Sequence, residues 1–167
     1  PAEIEPTPGA EFSIRYTEQQ MDQIAALCTD AHLIGITVMT IHFWRTARLT
    51  DFLRQRVSAP IIWGGIHPTI APEESLKHAN MVCIGEGEKL MVELANRMAR
   101  GEPYRDVKNL WLKDEDGRII TNELHPLVTD LDALPFPDYR LAEHYIMHNG
   151  EIRPLNMDLA CWYLTDG

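Results

Sequence analysis

Residues 31–88 read AHLIGITVMTIHFWRTARLTDFLRQRVSAPIIWGGIHPTIAPEESLKHANMVCIGEGE, and three short apolar runs inside them decide the expected architecture. Leu33–Met39 (LIGITVM), Pro60–Trp63 (PIIW) and Met81–Ile84 (MVCI) are brief and largely β-branched, and the last two break at glycine. The first reads as a strand buried on both faces, as in a parallel sheet. Between the first two runs, roughly Trp44 to Val57 reads as a helix. It turns Ala47, Phe52 and Leu53 inward and leaves Arg45, Arg48, Arg54 and Arg56 to water. A short helix around Glu73–Lys77 precedes the third run, and a long amphipathic helix from about Glu88 to Arg100 follows it, ending before Gly101. Strands and helices alternating at this spacing indicate an open parallel sheet. Right-handed crossovers then place helices on both faces, which predicts a three-layer, Rossmann-like α/β domain.

Upstream, residues 1–16 carry three prolines and a glycine without periodicity and are expected to be irregular. At Thr17 the pattern changes. Thr17 and Gln20 have the spacing of a capping box, in which each side chain satisfies a free N–H of the first turn. Met21, Ile24, Ala25, Leu27 and Cys28 then form an apolar helical face, so the α/β domain is expected to span 17–101. Over 102–125, Asn109–Leu112 and Arg118–Thr121 read as a β-hairpin turning near Asp116-Gly117, with its acidic tip in solvent. The remainder, 126–167, is punctuated by Pro126, Pro135 and Pro137 and reads as an extended linker, because proline restricts its own backbone and its predecessor's. Leu155–Leu164 is a further candidate strand.

A chain of 167 residues suits one domain with an appendage, and 45% hydrophobic with 24% charged residues is ordinary for a globular protein. The formal net charge of −10 argues against a nucleic-acid partner, whose phosphates demand Lys and Arg. No apolar run reaches the roughly 20 residues of a membrane span, and no signal peptide opens the sequence, so a cytoplasmic location is expected. Cys28, Cys83 and Cys161 are too scattered for a disulfide or C-x-x-C framework and read as small buried apolar residues of a reducing compartment.

Ligands of such sheets bind outside the carboxyl ends of the strands. That rule singles out Thr40-Ile41-His42-Phe43, Gly64-Gly65-Ile66-His67-Pro68 and Gly85-Glu86-Gly87-Glu88. Glycine admits close approach of a ligand to the backbone, although it also serves as a plain turn residue, and His42 and His67 also fit as surface loop residues. GEGEKL lacks the third glycine of a dinucleotide fingerprint, and Glu86 and Glu88 would repel a pyrophosphate. No nucleophile elbow is present, which argues against a hydrolase of this fold.

At these turns the sequence resembles the cobalamin-binding domain that precedes the catalytic barrel in one class of radical S-adenosylmethionine (SAM) enzymes. The matching pieces are GITVMT, PIIWGGIHPTIAPEE, MVCIGEGEKLMVELA and LVTDLDALPFPDY, in that order across residues 31–140. The resemblance implies corrin contacts at Thr37, Val38, Met39, Thr40, Ile41 and His42, at Gly64, Gly65 and His67, and at Gly85, Glu86, Gly87 and Glu88. It implies that the linker leads into a radical SAM barrel holding a 4Fe-4S cluster and S-adenosylmethionine outside this chain, the fragment stopping just before the cluster cysteines. It further implies that this stretch lacks the family's first strand, and that the whole enzyme is a methyltransferase or performs another radical reaction. No catalytic or metal-ligating residue is assigned here. The alternative function is an interaction module of the same fold that binds no cofactor and packs on the barrel.

Asp30-x-His32-x-x-Gly35 matches the D-x-H-x-x-G pattern that supplies a lower cobalt ligand in other cobalamin proteins. Here it precedes a strand instead of following one. His32 therefore falls at the amino rim, about 20 Å from the predicted site at 3.3 Å per strand residue. His78, His125, His144 and His148 receive no role.

Overall fold

The computed structural model describes residues 15–136, 143–148 and 150–156. Helix α1, Glu18–Leu27, starts at the expected capping box: the Thr17 amide donates to Gln20 Oε1 at 2.8 Å and the Gln20 amide to Thr17 Oγ1 at 3.2 Å. Strand β1 (Ile34–Thr37), helix α2 (Phe43–Leu53), strand β2 (Ile61–Gly64), short helices α3 (Ile66–Ile70) and α4 (Pro72–Ser75), strand β3 (Met81–Cys83) and helix α5 (Glu88–Ala99) follow. A 3₁₀ turn over Thr40–His42 leads into α2.

Strands β1, β2 and β3 are parallel, with Ile36 opposite Trp63 and Ile62 opposite Met81. The hairpin predicted near Asn109–Thr121 forms as β4 (Leu110–Lys113) and β5 (Ile119–Thr121), and Gly117 takes the left-handed conformation of its turn. It adds to the same sheet: β4 runs antiparallel to β3 with Val82 opposite Trp111, giving the order β1-β2-β3-β4-β5. The fold is thus a mixed α/β sheet with a parallel half and an antiparallel half.

Strand alternation divides the core into two layers. On one face Ile34, Ile61, Trp63 and Val82 pack with Met21 and Ala25 of α1, Phe43, Ala47 and Leu53 of α2, and Leu76. On the other, Ile62, Met81, Cys83, Leu110 and Leu112 pack with Leu90 and Leu94 of α5. Helices lie on both faces, as the crossover rule requires. The first layer holds a buried polar pair in which Trp63 Nε1 donates to Thr50 Oγ1 at 3.0 Å, and that hydroxyl donates to the Thr46 carbonyl at 2.8 Å.

One sequence expectation is corrected. β1 is not buried on both faces: Gly35 and Thr37 are exposed, because β1 is an edge strand and α5 covers mainly β2, β3 and β4.

Within the stretch read as a linker, strands β6 (Tyr145–His148) and β7 (Glu151–Pro154) form a second hairpin that the sequence reading missed. It rests on α1, where Gln20 Nε2 donates to the Gly150 carbonyl at 3.2 Å and the Ile152 amide to Gln23 Oε1 at 3.2 Å. Cys161, Pro137, most of Leu155–Leu164 and nearly all of the irregular leading segment fall outside the described residues. Among the described residues no helix is long and apolar enough to cross a membrane.

Candidate functional site

The three turns singled out by sequence meet at the carboxyl rim, joined by a continuous run of hydrogen bonds. The Val38 amide donates to the Gly64 carbonyl at 2.8 Å, and the Val38 carbonyl accepts from the His67 amide at 3.1 Å. Gly65 has φ 95°, a region that side chains disfavour. A Cβ there would lie 3.0 Å from Thr37 Cγ2 and 3.2 Å from the Val38 nitrogen and oxygen. First and second turns therefore touch through backbone. Thr69 joins the second to the third: its hydroxyl donates to the Gly65 carbonyl at 2.8 Å and accepts from the Gly85 amide at 3.0 Å.

Asn109 secures the third turn from below. It is buried, adopts φ 66° and donates its Nδ2 to the Glu86 carbonyl at 2.9 Å. Its own carbonyl accepts from the Ile84 amide at 2.9 Å, and its side-chain oxygen accepts from the His125 amide. The Glu86 carboxylate accepts the Val128 amide at 2.8 Å. That carboxylate is committed to the segment after β5 rather than to the open rim. Cys83 sits below this turn, its thiol pushed up to about 11 by burial and then by the negative charge of Glu88.

The predicted histidines divide. His67 is buried, with Nδ1 3.4 Å from Thr40 Oγ1, its ring 4.5 Å from that of Phe43, and Nε2 3.5 Å from Glu74 Oε2, near enough for an ion pair but not aligned as a hydrogen bond. It supports the first two turns from inside. His42 is half-buried on the 3₁₀ turn, and its buried Nδ1 has no hydrogen-bond partner among the described residues. His32 stands exposed before β1, at the amino rim as argued from sequence. Val38 is buried, whereas Met39, Thr40 and Ile41 are exposed.

Among the described residues, two surfaces stand open at this rim. Met39, Ile41, Ile66 and Ile70 are 52–72% exposed on the first two turns, an apolar floor made of large side chains that the core does not need. On the α5 side, Gly35, Thr37, Gly64 and Gly87 form a strip of small residues: a Cβ on Gly64 or Gly87 would meet Cys83 at 3.7 and 3.6 Å, and one on Gly35 would meet Met91 at 3.9 Å. A flat ligand with apolar edges and an appended tail fits this combination of floor and strip. Thr69 and Asn109 escaped the sequence reading. Thr69 follows Gly65 by one helical turn, which was a legible cue; Asn109 declares itself only through its left-handed backbone.

Residues 8–95 match the B12 binding domain family. The chain belongs to that family. Its role is that of a cobalamin-binding domain.

Among curated relatives, this B12-binding domain is 27% identical over 118 residues to an uncharacterized methyltransferase of Pyrococcus horikoshii, covering 67% of this chain and 25% of that protein. It is 33% identical over 70 residues to bacteriochlorophyllide d C-8(2)-methyltransferase of Chlorobaculum tepidum, covering 42% of this chain and 15% of that one. The chain thus spans about a quarter or less of these relatives. Its fold is similar to part of TsrM from Kitasatospora setae, a radical S-adenosylmethionine methyltransferase solved with cobalamin and a [4Fe-4S] cluster (TM-score 0.56, 19% identity, 70% of this chain and 22% of that one). OxsB, a cobalamin-dependent S-adenosylmethionine radical enzyme solved with aqua-cobalamin, matches with TM-score 0.55 and 20% identity over 64% of this chain and 16% of its own.

Proposed function

We propose that the carboxyl rim seats the corrin ring of cobalamin, with Met39, Thr40 and Ile41 beneath it and the backbones of Gly64, Gly65, Gly85 and Gly87 at its edge. The observation that carries this reading is the hydrogen-bonded series linking the three turns into one surface. Thr37 and Gly64 extend the seat onto the strip of small residues, where the nucleotide tail can lie without a side chain in its way. Val38, His67 and Glu86 shape the turns from behind. His42, whose Nδ1 has no partner among the described residues, and the exposed Glu88 complete the rim.

Cobalamin, when bound, supplies a cobalt centre able to carry a methyl group. The residues of this chain bind and orient it; none is assigned a step in the reaction. The whole protein is proposed to be a cytoplasmic, cobalamin-dependent radical SAM enzyme, with a methyl transfer carried out beside an adjacent barrel that holds the 4Fe-4S cluster and S-adenosylmethionine. The support is the similarity to methyltransferases that are several times longer.

Titration of the chain with hydroxocobalamin, followed in the visible spectrum and by gel filtration, tests the seat. A shifted corrin spectrum and co-elution are expected. An unchanged spectrum with free cobalamin eluting separately would leave the interaction module as the better reading.

A further inference from the structure

We propose that Glu86 is a positioning residue that couples the carboxyl rim to the segment that follows the sheet, Leu124–Phe136, through its grip on the Val128 amide. The inference rests on the cobalamin seat proposed above and assigns a task to a residue that the seat does not use for contact.

Three observations carry it. First, Glu86 is held at both ends. Its carbonyl accepts from Asn109 Nδ2 at 2.9 Å and its carboxylate accepts from the Val128 amide at 2.8 Å, so the turn and that segment share one residue. Second, Asn109 repeats the link in parallel: while its Nδ2 holds Glu86, its Oδ1 takes the His125 amide, and its own amide donates to the Glu123 carbonyl at 2.8 Å. The segment is therefore fixed at residues 123, 125 and 128 to one buried asparagine and one glutamate. Third, the same turn is tied through Gly85 and Thr69 to Gly65, and through Gly64 and His67 to Val38. Any shift of the rim that moves Gly85 or Glu86 is felt at Val128, because the links are direct and partly shielded from water.

Beyond Val128, Leu131 is 69% exposed, and Asp130 caps a short 3₁₀ turn at Leu131–Ala133 by accepting the Asp132 amide. Glu86 and Asn109 thus anchor the start of this segment against the third turn.

Amide exchange of the 167-residue chain, read at residue level with and without hydroxocobalamin, tests this. In Glu86→Ala, Val128 is expected to exchange about tenfold faster than in the parent, the change from losing one charge-assisted hydrogen bond, while Ile62 and Val82 in the sheet stay as protected as before. Glu86→Gln retains an acceptor oxygen and is expected to stay near the parent. Val128→Pro deletes the donor instead and should speed exchange at the His125 amide, the neighbouring bonded donor of the segment. With hydroxocobalamin bound, Val128 slows further in the parent, whereas Glu86→Ala binds the corrin without passing any change to Val128. Equal exchange at Val128 in the parent and Glu86→Ala overturns the proposal, as does a corrin-bound parent whose Val128 is unaltered. If the parent binds no hydroxocobalamin, the seat fails, and the corrin-free comparison alone decides whether Glu86 holds the segment.

Discussion

A Cβ on Gly65 would stand 3.2 Å from both the nitrogen and the oxygen of Val38, so the first and second turns meet backbone to backbone with no room for a side chain. Since φ at Gly65 is 95°, any other residue there also meets conformational strain. Gly65→Ala is expected to cost about 1–3 kcal/mol, checked by urea unfolding. Gly65→Leu should weaken hydroxocobalamin binding far more than His32→Ala, since His32 lies at the opposite rim. Equal losses in a spectral titration would contradict the assignment of the site.

Trp63 and Thr50 are both fully buried, and the indole N–H depends on the Thr50 hydroxyl. Thr50→Val keeps the shape and removes the acceptor, leaving a donor stranded in the core. A loss of about 1–3 kcal/mol is expected, with Thr50→Ser much closer to the parent, both measured by denaturant unfolding.

Leu94 on α5 is fully buried in the second core layer, while Val92 on the same helix is 63% exposed. Leu94→Ala should cost about 2–5 kcal/mol through lost burial and a residual cavity. Val92→Ala should change stability by no more than about 0.5 kcal/mol. The contrast reads out which face of α5 meets the sheet.

The Cys83 thiol, raised to about 11 by burial and then by Glu88, stays protonated in the folded chain where an unfolded thiol with its ordinary value of 9.0 would ionise. The unfolded chain then binds fewer protons, so this group's contribution to stability is complete below pH 9 and is lost as pH rises through 11. Glu88→Gln removes the second cause and should move the onset of Cys83 alkylation to lower pH. The rate of iodoacetamide labelling at Cys83 against pH, read by mass spectrometry, checks the direction.

Much of this arrangement was legible in the sequence because the signals are local. Thr17 and Gln20 announce a capping box by spacing alone, and PIIW before Gly64-Gly65 marks a buried strand with its break. The placement of His32 at the amino rim followed from strand direction without coordinates. What escaped depends on contacts distant in sequence. Nothing near Leu33–Met39 shows that α5 would leave Gly35 and Thr37 uncovered. The hairpin at Tyr145–Pro154 is held on α1 by Gln20 and Gln23, more than a hundred residues earlier. Glu86 looked like a rim residue because its neighbours are glycines, and only Val128, on a segment far along the chain, shows where its carboxylate points.

The small hairpin β4–β5 settles a question of parity. A lone antiparallel strand after β3 would have dropped the chain at the far side of the sheet. Two strands bring it back, so residue 122 sets out from the same side on which Gly65 and Gly85 turn. By adding an even number of passes, the sheet releases its last strand beside the proposed cofactor seat, and the distance between the two is fixed by the hydrogen bonds of a single sheet.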